Sequence, residues 1–147
     1  MSLVDVRPGL IKLLRSNAQI ESIVTAGGIA RIFPAIMKQG ETRDSIVYNR
    51  ISENEMVHMV GPTGLVAARY QFDSWSQSSD RATNLSLLVK ETFGGFHGSI
   101  EFDPPSPSNF VDVQLIEMIS GRDDYDGNAS MYNVSKDYFV WYEERNG

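Results

Sequence analysis

The sequence predicts an α+β domain in which a mostly antiparallel sheet carries two amphipathic helices packed on one face. Three observations carry this. Two segments, one near the N-terminus and one over 79–93, set apolar residues at helical spacing. Several other segments alternate apolar and polar residues with a period of two. The strand-like segments also follow one another without helical crossovers, which favours antiparallel pairing.

The elements follow in order. Asp5 can cap a first helix, with Pro8 in the first turn, where no backbone N–H is needed. Val6, Leu10, Leu13 and Leu14 form its stripe, and Ile20, Ile23 and Val24 suggest another short helical turn ended by Gly27-Gly28. Ile29 to Phe33 reads as a short strand stopped by Pro34, and 34–44 as a polar loop. Ser45 to Ser52 is a strand with Val47 and Ile51 on one face and Ile46, Tyr48 and Arg50 on the other. Gly61-Pro62-Thr63-Gly64 signals a turn. Leu65 to Ser74 alternates, with Val66, Ala68, Tyr70 and Phe72 opposite Arg69, Gln71 and Asp73.

The second main helix runs from Ser79 to Phe93, capped by Ser78 or Ser79, with Asp80 at its positive end. Ala82, Leu85, Leu88, Val89 and Phe93 are its buried stripe, and Gly94-Gly95 supplies a left-handed stop. The prolines of Asp103-Pro104-Pro105-Ser106-Pro107-Ser108-Asn109 exclude a central strand. Val111 to Ile119 is a strand, with Val111, Val113 and Leu115 set against Asp112 and Gln114. Arg122 to Asn128 reads as an acidic turn. Tyr132 to Glu143 is a closing strand, apolar on both faces at Tyr138-Phe139-Val140-Trp141-Tyr142.

The 147 residues suit one domain, 1–147, large enough to bury a core. With 41% hydrophobic and 22% charged residues, wholesale disorder is excluded. There is no cysteine, so disulfides, thiolate nucleophiles and cysteine-ligated metals are excluded as well. No apolar run reaches the ~18 residues of a membrane span. The N-terminus has neither the basic nor the apolar region of a secretory signal, so the chain is expected to be made in the cytoplasm and the sequons at Asn84, Asn128 and Asn133 to be chance. A net charge of −6 disfavours binding to phosphate backbones, yet suits a surface past which DNA slides.

No motif supplies catalysis. His58 and His97 fall in different loops and are too few for a histidine metal site. When Gly127 is aligned with the glycine of a calcium loop, Asp124 and Asp126 fall on ligand positions. Arg122 then takes the first place and Asn133 the last, where a carboxylate is needed, so a solvated turn is the better reading. No G-x-S-x-G or phosphate-binding glycine pattern is present. The expectation is a protein without catalytic, cofactor-binding or metal-binding residues. A strand apolar on both faces needs a second cover, from a curled sheet and helices or from another subunit.

One arrangement goes further. Arg31-Ile32-Phe33-Pro34 and Ile46-Val47-Tyr48-Asn49-Arg50-Ile51-Ser52 precede Ala68-Arg69-Tyr70-Gln71-Phe72-Asp73-Ser74-Trp75-Ser76, and a helix opens at Asp80-Arg81-Ala82. Gly95-Phe96-His97-Gly98 and Asp137-Tyr138-Phe139-Val140-Trp141-Tyr142 follow. Over nearly its full length this order resembles the tail-completion, or tail-terminator, proteins of long-tailed bacteriophages and prophages. The resemblance implies a virion structural protein of the tail and neck with no catalytic residues. It implies a homo-oligomeric ring, usually a hexamer, that caps the tail tube, presents a docking face to the head connector and passes DNA through its lumen without specific binding. Another neck component, such as a head-completion or stopper protein, is the nearest alternative, and a small-ligand-binding domain is a further one. The proline loop is a departure from the family pattern. Its restricted backbone makes Pro104, Pro105 and Pro107 candidate interface residues, able to reach a neighbour at low entropic cost.

Overall fold

Pro8 sits in the first turn of helix α1 (Arg7–Ser16), as its missing N–H allows. The computed structural model describes residues 6–36, 40–58, 61–101 and 110–143. Asp5 and the candidate interface residues Pro104, Pro105 and Pro107 lie outside the described residues. Val6, Leu10 and Leu14 are buried on the inner side of α1. Gly9 allows close approach to the sheet, because a Cβ there would lie 3.0 Å from Val111 Cγ1. Asn17 separates α1 from a short helix, α2 (Ala18–Val24). Its Oδ1 accepts from the Gln19 and Ile20 N–H groups at 3.0 and 3.2 Å, and its Nδ2 donates to Thr92 Oγ1 at 2.9 Å.

Gly27 and Gly28 have φ of 61° and 80°, the paired left-handed conformation of a two-residue hairpin turn. They join β1 (Thr25–Ala26) to β2 (Ile29–Ala30). The expected strand Ile29–Phe33 is therefore divided, and its second part forms β3 (Ile32–Pro34) in a different sheet. Arg31, at the division, is buried. Its guanidinium donates to the carbonyls of Ile23 at 2.7 Å and Asp44 at 2.9 Å, so it ties α2 to the start of the next strand.

The main sheet contains β3, β4 (Ser45–His58), β5 (Gly61–Ser76), β6 (Gly98–Glu101), β7 (Phe110–Asp126) and β8 (Met131–Glu143), in the order β3-β4-β5-β8-β7-β6. The expectation of a mostly antiparallel sheet is corrected: the sheet is mixed. β3 pairs parallel with β4, because residues 35–44 return the chain to the end from which β3 started, and the remaining pairings are antiparallel. The helical layer is corrected as well. The described residues form three helices, and α3 (Ser79–Phe93) lies against β5, β8 and β7. α1 and α2 pack on each other and on α3, and α1 reaches β6.

Several boundaries also differ. Gly61-Pro62-Thr63-Gly64, expected as a turn, belongs to β5 and pairs with the end of β4. β7 continues through the expected acidic turn to Asp126. The pairing register shifts between Val113 and Leu115, so Ile116 is buried and Leu115 is not. A shift between Arg50 and Ser52 likewise leaves Ile51 50% exposed.

The α3 stripe Ala82, Leu85, Leu88, Val89 and Phe93 is buried as its periodicity predicts. Ser78 Oγ caps the helix at the Arg81 N–H, and Gly95, with φ 72°, is the left-handed residue after it. Val66, Ala68, Tyr70 and Phe72 of β5 join Tyr138, Val140 and Tyr142 of β8 in the core. Phe93 closes this layer, edge-on to Phe72 at 4.9 Å and to Tyr138 at 5.3 Å between ring centroids.

Candidate assembly surfaces

The closing strand does have two apolar faces, and they differ in burial. Tyr138, Val140 and Tyr142 are buried against the helices, whereas Phe139 and Trp141 on the opposite face are half-buried. These two rings lie 6.2 Å apart, and Trp141 Nε1 donates to Glu117 Oε1 of β7 at 3.3 Å. Leu115 pairs with Trp141 and Ala67 of β5 lies on its other side, which makes an apolar strip across three strands.

The same face turns polar along the strands. Arg69 donates twice to Asp137 Oδ2, at 3.1 and 2.6 Å. Asp73 Oδ1 accepts from Gln71 Nε2 at 2.9 Å and from Ser135 Oγ at 2.7 Å, and Ser135 in turn accepts from Asn133 Nδ2. The polar phase of the 68–76 stretch is thus consumed in a hydrogen-bonded ladder across β5 and β8. Ser76 Oγ and Arg81 Nε both donate to the Asp44 carboxylate, fixing the entry to α3.

The acidic segment is occupied by its own backbone. Asp126 Oδ1 accepts from the N–H groups of Asn128 and Ala129, and Asp124 Oδ1 from that of Tyr125. Among the described residues no group of three or more His, Asp or Glu is placed to hold a metal ion. His58 ends β4, and His97 is exposed between α3 and β6. In the 35–44 connection, the Arg43 guanidinium and N–H hydrogen-bond the Glu41 carboxyl and hold its pKa down at about 2, against the upward push of burial.

Two of the open concavities among the described residues carry apolar lining. One of about 540 Å³ lies between Ile36 and the β7–β8 turn, over Val47, Asp73 and Trp75. The other, of about 610 Å³, is a groove between α3 and β7 lined by Leu87, Lys90, Gly95, Ile116 and Met118. Leu87 is 51% and Met118 38% exposed, so this groove offers apolar surface to a partner. Sequence reasoning missed it, because Leu87 lies off the helical stripe and Met118 sits next to a register shift. No described helix is long and apolar enough to cross a membrane.

No protein-family model matches the chain, and no curated protein matches it. Its fold is shared with a chain from a solved virion of a native gene transfer agent (GTA) particle. The two superpose with a TM-score of 0.65 over 92% of each chain at 10% sequence identity. At that identity the likeness shows the fold.

Proposed function

We propose that this chain is a structural subunit of a phage-type virion, and within it the terminator ring that caps the tail tube and presents a docking face to the head connector. The observation that carries the reading is the fold shared over 92% of each chain with a chain of a virion particle. The order of residues that resembles tail-terminator proteins supports the finer assignment. The mechanism is geometric. Head-to-tail copies close into a ring, hexameric on this reading, that satisfies its own interfaces. One face of the ring copies the contacts of a tube subunit and the other does not, so growth stops. The chain makes and breaks no covalent bond, and its acidic surface lets DNA pass through the lumen without sticking.

Electron microscopy of particles made without this protein tests the assignment. Overlong tails are the expected result. Tails of normal length beside unattached heads would favour the stopper alternative, and intact particles would contradict both.

A further inference from the structure

Among the described residues, each edge of the main sheet is covered along only part of its length. On one side β3 pairs with β4 at Ile46, Val47 and Tyr48, and from Ile51 to His58 no strand adjoins that side among the described residues. On the other side β6 covers β7 from Phe110 to Val113, and the backbone of Gly95 and Phe96 continues the bonding as far as Ile116. From Glu117 to Asp126, β7 pairs with β8 alone among the described residues. Open edges of this length present rows of N–H and C=O groups that template another strand.

The β7 edge has a second, independent feature. The groove between α3 and β7 leaves Leu87 and Met118 exposed beside it. They lie where the inward side chains of one more strand would pack. The chain itself carries a strand of the right kind. β4 and β7 are separated by β5 and β8 in a wholly antiparallel run, so they point in opposite directions. A second copy in the same orientation, with its β4 beside this β7, continues the antiparallel alternation.

We infer that copies of this chain join by adding the β4 edge of one subunit to the β7 edge of the next, giving a sheet that is continuous through the interface. This rests on the ring reading and identifies its contact. The registers place the open part of β4 and the open part of β7 toward opposite ends of the strands. Joined copies are therefore displaced along the strand direction by about seven residues, roughly 24 Å at ~3.4 Å per residue. Such a stagger is what closing a sheet on itself requires, and closure removes every open edge. The β4–β7 contact is head-to-tail, whereas β4–β4 or β7–β7 pairing would stop at a two-fold dimer.

The absence of cysteine makes cross-linking a clean test. Facing residues of antiparallel strands have Cα atoms about 4.5–5.5 Å apart, within reach of a disulfide. Ile51→Cys and Glu53→Cys mark the β4 edge; Glu117→Cys, Ile119→Cys and Asp123→Cys mark the β7 edge. Only variants that melt as the parent does are used. Under mild oxidation at least one mixture of a β4 variant with a β7 variant is expected to give a covalent dimer that neither gives alone. The matching double variant gives a ladder that stops at the ring size. Rings visible by electron microscopy without a cross-link in any combination would overturn the inference and leave the ring reading standing. Dimers from one single variant alone would overturn it in favour of two-fold pairing. A chain with no self-association at any concentration, alone or on tubes, would overturn both.

Discussion

Tyr138 carries its hydroxyl into the core, where no partner among the described residues meets it. Burial pushes its pKa upward, so the phenol stays neutral. A buried donor without a partner costs desolvation energy, and removing it relieves that cost. Tyr138→Phe is expected to leave stability unchanged or to raise it by about 1 kcal/mol, measured by urea denaturation; a clear loss would mean that the hydroxyl is bonded. Glu41 behaves oppositely. Its folded-state pKa of about 2 lies below the usual 4.5, so its pairing with Arg43 stabilises the fold fully above pH 4.5. That contribution declines as pH falls from there through about 2. A carboxyl titration followed by NMR should place Glu41 near pH 2 in the parent and return it toward 4.5 in Arg43→Gln. An unchanged titration in the variant would show that the guanidinium is not the cause.

At the scale of elements, α3 divides between a core face and an exposed face. Phe93 is wholly buried among Phe72 and Tyr138, while Leu87 on the same helix faces the groove. Phe93→Ala is expected to cost about 3–5 kcal/mol. Leu87→Ala should change stability by less than ~0.5 kcal/mol. Urea denaturation checks both, and similar losses for the two would contradict the placement of Leu87. Asn17→Ala removes the cap of α2 together with its tie to Thr92, for an expected loss of about 1 kcal/mol in the same assay.

What the sequence made legible divides along the same line. The stripe, cap and stop of α3 are local, and residues 78–95 state them in full. The alternation of β5 is equally local. Register shifts are not, because whether Leu115 or Ile116 faces inward depends on how β7 meets β8. Pro62 illustrates the limit. Gly61-Pro62-Thr63-Gly64 has turn chemistry, yet it pairs with β4 just beyond a register shift, where a missing N–H is tolerated. The parallel β3 was hidden for a similar reason: Gly27-Gly28 announces a break without saying that the chain then changes sheets.

For the whole molecule, the central proposal is function by shape. The two-sided closing strand, read from Tyr138 to Tyr142, is found with one face in the core and the other half-buried. The groove beside β7 and the open edges were not readable, since they arise from strands that end early rather than from any residue pattern. If the two edges pair head-to-tail, copies associate without limit unless they close on themselves, and a closed ring at the end of a tube is an arrangement that also halts a polymer. The most direct measurement is tail-tube elongation in vitro, followed by electron microscopy, with and without the purified chain. The account predicts that added chain stops elongation and leaves one ring on the tube end. Tubes that lengthen at the same rate, with no chain bound to them, would contradict it.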